Sequence, residues 1–80
     1  MPRIATDGKY VIYVHVRDEH PPPHVHVYYD GKVSRVSLFD LRVMDAVSQR
    51  ESRMLERVVS RHRVHALAVW AEVNEQSDRE

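Results

Sequence analysis

Hydrophobic and polar residues alternate along the first half of the chain and change to a helical spacing in the second half. Residues 9–17 alternate and carry apolar side chains on both faces, which predicts a strand in the middle of a sheet. Asp30-Gly31 is typical of a two-residue type I′ hairpin turn, because both central residues of that turn need a positive φ. We therefore predict two further strands, at about 24–29 and 32–38, that pair with each other.

A two-residue hairpin loop fixes which residues of the two strands face each other. In the predicted register His26 lies opposite Arg35, and His24 lies opposite Ser37. One face of this hairpin is apolar and consists of Val25, Val27, Tyr29, Val36 and Leu38. The other face is polar and consists of His24, His26, Tyr28, Arg35 and Ser37.

The second half of the chain has the pattern of an amphipathic helix. Ser48-Gln49-Arg50-Glu51 has the spacing of a capping box, which marks a helix start. Apolar residues then recur three and four positions apart, with no Gly or Pro, and predict one or two helices over about 48–75 with irregularity near 61–64. The predicted fold class is α+β, a single domain over residues 1–80 with a three-stranded antiparallel sheet packed on one face by these helices. Tyr10, Phe39 and Trp70 are expected in the core, and the histidine face is expected to be uncovered.

Composition narrows the function classes. The chain has 80 residues, 12 basic and 12 acidic side chains and no cysteine, which excludes a disulfide scaffold and a thiolate metal site. No apolar run approaches the ~18 residues of a membrane span, so we expect a cytoplasmic protein without membrane contact. The balanced charge argues against strong non-specific binding of nucleic acid, so any such binding must be local. A domain this small is only marginally stable on its own, so we expect a partner, either a small cognate protein or a second copy in a homodimer.

Three histidines fall in the segment His20-Pro21-Pro22-Pro23-His24-Val25-His26-Val27. On a strand, the rings of His24 and His26 share one face, and His20 could supply a third ligand to a divalent metal such as zinc, which would activate a bound water. Arg35 opposite His26 disfavours a second cation and instead favours a phosphate. In that alternative His24 and His26 are the catalytic acid and base of RNA cleavage, and Tyr28 and Ser37 add hydrogen bonds. In a third interpretation the histidines only end an edge strand and bond to the backbone.

A second candidate surface lies on the predicted helix. Its arginines are three and four residues apart on one helical face and are Arg50, Arg53, Arg57 and Arg61. They could bind phosphates or an acidic partner, or they could form a solvated face beside Glu51 and Glu56. Acidic residues concentrate towards the end of the chain, and this asymmetry favours contact with an oppositely patterned protein.

The histidine segment, Asp30-Gly31, Ser48-x-x-Glu51 and Leu67-x-x-Trp70 together resemble the small bacterial family called domain of unknown function 4160. The chain departs from that family at Pro21, where members often have Asn, and at Ser37-Leu38-Phe39-Asp40-Leu41, where Trp-Leu-Asp-Pro is usual. The resemblance implies two helices and a place in a toxin–antitoxin pair, beside a small cognate protein of the domain of unknown function 2442 family.

Two functions follow as hypotheses from this resemblance and the candidate residues. The first is the toxin member of such a pair, a ribonuclease-like phosphodiesterase in which His24, His26 and Arg35 act on RNA. The second is a non-enzymatic protein-binding module, an inhibitor, antitoxin-like or regulatory subunit that uses the exposed sheet face and the arginines of the helix.

Overall fold

The computed structural model describes residues 3–14 and 23–78, with side chains described up to residue 73. The elements are β1 (Arg3–Asp7), β2 (Tyr10–Tyr13), β3 (His24–Tyr29), β4 (Lys32–Ser37), α1 (Gln49–Arg61) and α2 (Arg63–Asp78). The strands form one antiparallel sheet in the order β1-β2-β3-β4, and the two helices follow the sheet in sequence and pack against it. The fold is therefore α+β.

The prediction of three strands was wrong, because β1 adds a fourth. Asp7 pairs with Tyr10 across the two-residue loop Gly8-Lys9, and Gly8 has a φ of +61° that favours glycine. The strand predicted at 9–17 is observed over Tyr10–Tyr13, and its predicted residues 15–17 lie outside the described part of the chain.

The β3–β4 hairpin has the predicted turn and register. Asp30 and Gly31 have φ angles of 49° and 74°, as a type I′ turn requires. His26 pairs with Arg35 and His24 pairs with Ser37, which confirms the predicted alignment. After the hairpin the chain returns along the outer edge of β4, where Val43 forms a bridge with Val36 and the Met44 N–H donates to the Arg35 carbonyl at 2.8 Å.

The helical region divides into two helices at His62, which confirms the expected irregularity near 61–64. At the start of α1 the Ser48 Oγ accepts a hydrogen bond from the Glu51 N–H at 3.1 Å, the central bond of the predicted capping box. At the break, Arg61 Nε and His62 Nε2 each lie 3.0 Å from the same Oδ2 of Asp7. These two contacts fix the end of α1 beside the first hairpin.

The core lies between the sheet and the helices. Fully buried side chains come from both layers and are Ile12, Val14, Val25, Val27, Val36 and Leu38 of the sheet region and Leu55, Val58, Val59 and Ala66 of the helices. Trp70 belongs to this core as predicted, and Tyr10 packs against it. Phe39 does not: it is 76% exposed, because the chain turns directly after Leu38 and Leu38 takes the buried position. Neither described helix combines the length and the apolar character that crossing a membrane requires.

Candidate functional site

The face of the sheet opposite the core carries two cross-strand rows of side chains. The register places Arg3, Tyr13, His26 and Arg35 side by side in one row, and Thr6, Val11, Tyr28 and Val33 in the next. We call these eight residues the open sheet face. The four residues of the outer strands are exposed and the four of the central strands are partly buried. The rings of Tyr13 and Tyr28 meet edge to face, with their centroids 5.4 Å apart.

The two strand histidines are close together but differ in accessibility. Their ring centroids are 5.3 Å apart, so the two rings lie side by side as the alternation of the strand predicts. His24, however, is only 5% exposed, and its ring lies 5.3 Å from the ring of Trp70 in α2. The expectation of a wholly uncovered histidine face was therefore wrong at this end of the sheet. His26 is partly buried, and it is the more accessible of the two histidines.

Arg35 has a carboxylate partner that the sequence did not reveal. Its Nη2 lies 2.9 Å from Asp45 Oδ1, and its Nε and backbone N–H lie 3.3 and 2.7 Å from Asp45 Oδ2. The hydrogen bonds and charge of Arg35 hold the pKa of Asp45 below its ordinary value, with a smaller contribution from His26. Arg35 is thus already bound on one side, and a phosphate would have to share it with Asp45.

The remaining residues of the predicted histidine site have different surroundings. Ser37 is buried, and its Oγ accepts a hydrogen bond from the Phe39 N–H at 3.1 Å, so its hydroxyl stabilises the turn after β4. Tyr28 lies on the open sheet face. His20 lies outside the described residues. Within residues 3–14 and 23–73, no three His, Cys, Asp or Glu side chains come together in a way that could hold a metal ion.

The predicted arginine face of the helix is present on α1. Arg50, Arg53 and Arg57 are exposed, and the structure gives them no ion pair with any residue it describes. Arg61 differs, because it binds Asp7. Hydrogen bonds from Arg61 and then His62 lower the pKa of Asp7, so this part of the predicted stripe is a structural link between α1 and β1.

A cavity of about 460 Å³ lies where the two hairpin loops meet the start of α1. It is lined by Lys9, Tyr10, Tyr29, Asp30, Lys32, Arg50, Glu51 and Met54. Two ion pairs cross it, Lys9 with Asp30 at 2.6 Å and Lys32 with Glu51 at 2.9 Å. The Tyr29 hydroxyl donates to Glu51 at 2.8 Å, and burial is the main cause that raises the pKa of Tyr29.

This cavity was not predicted from the sequence, although a signal for it exists. A glycine stands in each hairpin loop, Gly8 in the first and Gly31 in the second, and hairpins joined by the adjacent strands β2 and β3 turn at the same end of an antiparallel sheet. Arg3 and Tyr13 were not among the predicted site residues, because their row is visible only once β1 is paired with β2. The cavity is at the opposite end of β3 from His24, about 16 Å away at 3.3 Å per residue.

The fold and these surfaces define a small sheet-and-helix protein with one open sheet face and one basic helix face. The family model described as "Domain of unknown function (DUF4160)" matches residues 9–71. The chain belongs to this family, and the match confirms the resemblance drawn from the histidine and helix motifs. The matched segment includes β2, β3, β4 and α1 but begins after β1. No curated protein and no solved structure matches the chain.

Proposed function

We propose that the protein is the nucleic-acid-binding, toxin-like member of a bacterial toxin–antitoxin-type pair, and that its open sheet face binds single-stranded nucleic acid. The observation that carries this proposal is the row formed by Arg3, Tyr13, His26 and Arg35, with Tyr28 in the adjoining row. Membership of the family supports the paired-locus context, since the family resembles components of such pairs.

Flat side chains on an exposed sheet face can stack with unpaired bases. Aromatic rings and imidazoles on a four-stranded sheet can stack two or three bases, and arginines at the sides can bind the phosphates that link them. Strands about 4.8 Å apart make the row from Arg3 to Arg35 about 14 Å wide. Tyr13, His26 and Tyr28 stand in the central strands, and Arg3 stands at one edge, where a phosphate backbone would pass.

The charge of the protein bears on the mode of binding. With 12 basic and 12 acidic side chains, bulk attraction to a polyanion is weak. Affinity on the open sheet face therefore comes mainly from stacking, which is worth about 1–3 kcal/mol per base. We expect a shallow dependence on salt and a preference for single strands over duplexes, whose bases are not available for stacking.

Anisotropy titration of a fluorescent single-stranded RNA tests the proposal, with a duplex of the same sequence as competitor. Tyr28→Leu keeps apolar bulk but removes the ring and should weaken binding about tenfold. Val64→Ala changes an exposed residue of α2, outside the open sheet face, and should leave affinity within about twofold of wild type. If Tyr28→Leu and Tyr13→Leu, both shown to be folded, bind as tightly as the wild type, the open sheet face is not the binding surface.

A second candidate function is cleavage of the bound strand, and the 5.3 Å separation of the His24 and His26 rings favours it. Here His26, the more accessible histidine, takes the proton from the attacking 2′-hydroxyl, the bond from phosphorus to the 5′-oxygen breaks, and that oxygen takes a proton from solvent. His24 orients the ring of His26. A zinc-dependent version needs a third ligand, because the described residues supply two imidazoles and catalytic zinc sites use three protein ligands. His20 is the candidate for that ligand.

Cleavage is tested by incubating labelled RNA with the wild type and with His26→Ala, with and without a chelator, and by inducing both proteins in growing bacteria. RNA cleavage and growth arrest by the wild type but not by His26→Ala would establish the activity. Loss of cleavage in the chelator would point to the metal-dependent version. Binding without cleavage by either protein would leave the nucleic-acid-binding function and remove the catalytic one.

A further inference from the structure

The exposed side of α1 presents arginines that form no ion pair with any residue the structure describes. We call Arg50, Arg53, Met54 and Arg57 the arginine stripe. All four are exposed, and at 100° per residue they occupy one side of the helix, roughly opposite the buried Leu55 and Val59. The acids of α1 have other partners: Glu51 binds Lys32 and Tyr29, and Glu56 accepts from the Ser52 hydroxyl at 3.0 Å. The three guanidinium groups of the stripe are therefore open to an external anion.

The arginine stripe continues into the cavity at the end of the two hairpins, because Arg50 and Met54 belong to the stripe and also line the cavity. The rings of Tyr10 and Tyr29 form part of the cavity wall, with their centroids 5.4 Å apart, and Met54 is 39% exposed. A cavity of about 460 Å³ is large enough to take an apolar side chain. A ligand lying along α1 could thus place charged groups on the arginines and an apolar group in the cavity.

The chemistry of the cavity distinguishes between two classes of polyanion. Its two carboxylates, Asp30 and Glu51, are each paired with a lysine, so apart from Arg50 its charged groups are already engaged within the protein and offer little to a phosphate backbone. An apolar side chain of a peptide needs no charged partner there and can pack against Met54 and the tyrosine rings. The apolar surface of Met54 and the tyrosine rings would not contribute to the binding of phosphates. The combination fits an acidic polypeptide better than a nucleic acid.

We infer that the arginine stripe and the cavity form a docking site for an acidic protein segment that carries one apolar anchor residue. Carboxylates of the segment bind Arg50, Arg53 and Arg57, and the anchor packs between Met54 and the tyrosines. Charge complementarity and the continuous surface select this occupant. The site is separate from the open sheet face and does not depend on the function proposed for that face.

The test uses the full chain and an end-capped fluorescent peptide made of glutamates with one central leucine. Reversing one exposed charge, as in Arg53→Glu or Arg57→Glu, should weaken binding about five- to tenfold, because attraction is replaced by repulsion. Arg42→Glu is the matched control, since Arg42 is an exposed arginine outside the stripe, and it should change affinity less than twofold. A peptide made only of glutamates should bind at least about threefold more weakly than the leucine peptide. Met54→Ala should remove this difference in affinity between the two peptides.

Three outcomes overturn the inference. The first is equal weakening by Arg42→Glu and Arg53→Glu, which would indicate attraction by overall charge alone. The second is displacement of the peptide by single-stranded RNA in the wild type and in Tyr28→Leu alike, which would make the stripe a nucleic-acid site. The third is salt-sensitive self-association that Arg53→Glu abolishes while the peptide fails to bind, which would make the occupant a second copy of this chain.

Discussion

The open sheet face and the arginine stripe both carry arginines, yet Arg35 of the sheet face and the arginines of the stripe are in opposite states. On the sheet face Arg35 is bound through three hydrogen bonds to Asp45, and the position of each side chain is set by strand register. On α1 the guanidinium groups of Arg53 and Arg57 find no carboxylate among the described residues. The arginine beside the conspicuous histidine motif is therefore not the arginine whose charge is available to an external ligand.

The two surfaces also lie on different sides of the molecule. The helices pack against the core face of the sheet, so the exposed side of α1 points away from the open sheet face. A nucleic acid on one surface and an acidic protein on the other would not compete for space. If both proposals hold, the wild type should bind labelled RNA equally well with and without a saturating amount of the acidic peptide.

The largest expected effect concerns the packing that supports the histidine end of the sheet. Trp70 is 7% exposed and its ring contacts His24, so Trp70→Ala should lower the free energy of unfolding by about 3–5 kcal/mol. That loss is a large part of the total expected for 80 residues. Val64→Ala is the control, because Val64 is in the same helix but 82% exposed, and it should change stability by less than about 0.5 kcal/mol. Urea unfolding measures both, and equal effects would contradict the packing described here.

The next largest expected effect is a difference in stability between variants of the two strand histidines. His24 is buried beside Trp70, so His24→Ala should cost about 1–3 kcal/mol of stability, whereas His26→Ala should cost much less. The same urea titrations compare the two variants. If His24→Ala unfolds no more easily than His26→Ala, the packing role assigned to His24 is wrong, and an acid–base pair of two equivalent histidines becomes the better interpretation.

A pH titration compares the carboxylates of the two regions. Hydrogen bonds from Lys32 and then Tyr29 hold the pKa of Glu51 below its ordinary value, and hydrogen bonds from Arg35 hold the pKa of Asp45 below its ordinary value. Because folding favours the ionised form of each, their contribution to stability is complete above about pH 4.5 and is lost as the pH falls through the folded-state pKa. NMR titration of the carboxyl groups should show that Lys32→Met raises the pKa of Glu51 alone, and that Arg35→Met raises the pKa of Asp45 alone. Any crossed effect would contradict the separation of the two regions.

Local sequence rules account for much of this fold. The Asp30-Gly31 turn specified the register that places His26 beside Arg35, and Ser48 with Glu51 marked the start of α1. Such features could be predicted because each depends on residues close in sequence. The arginine face of α1 was predictable for the same reason, since helical periodicity alone determines which residues share a side.

The errors arise where distant parts of the chain meet. Burial of His24 depends on Trp70, and the engagement of Arg35 depends on Asp45, which reaches it from the segment that returns along β4. Neither contact has a sequence signature. β1 was missed although Asp7-Gly8 resembles the turn of the second hairpin, because its short alternation around Ile4 is weak on its own and becomes stable only by pairing with β2.

The smallest expected effect concerns the ion pair that joins the two hairpin loops. Lys9 and Asp30 are about half exposed, and solvent screens such pairs, so Lys9→Met should leave the thermal midpoint close to that of the wild type. Removal of this lysine leaves Asp30 uncompensated at the cavity, and the acidic peptide should then bind more weakly. Asp30→Asn should have the opposite effect on binding, because it removes a repulsive carboxylate. Thermal unfolding and peptide anisotropy on both variants test this division; a large loss of stability with unchanged peptide binding would show that the hairpin end serves the fold and not a partner.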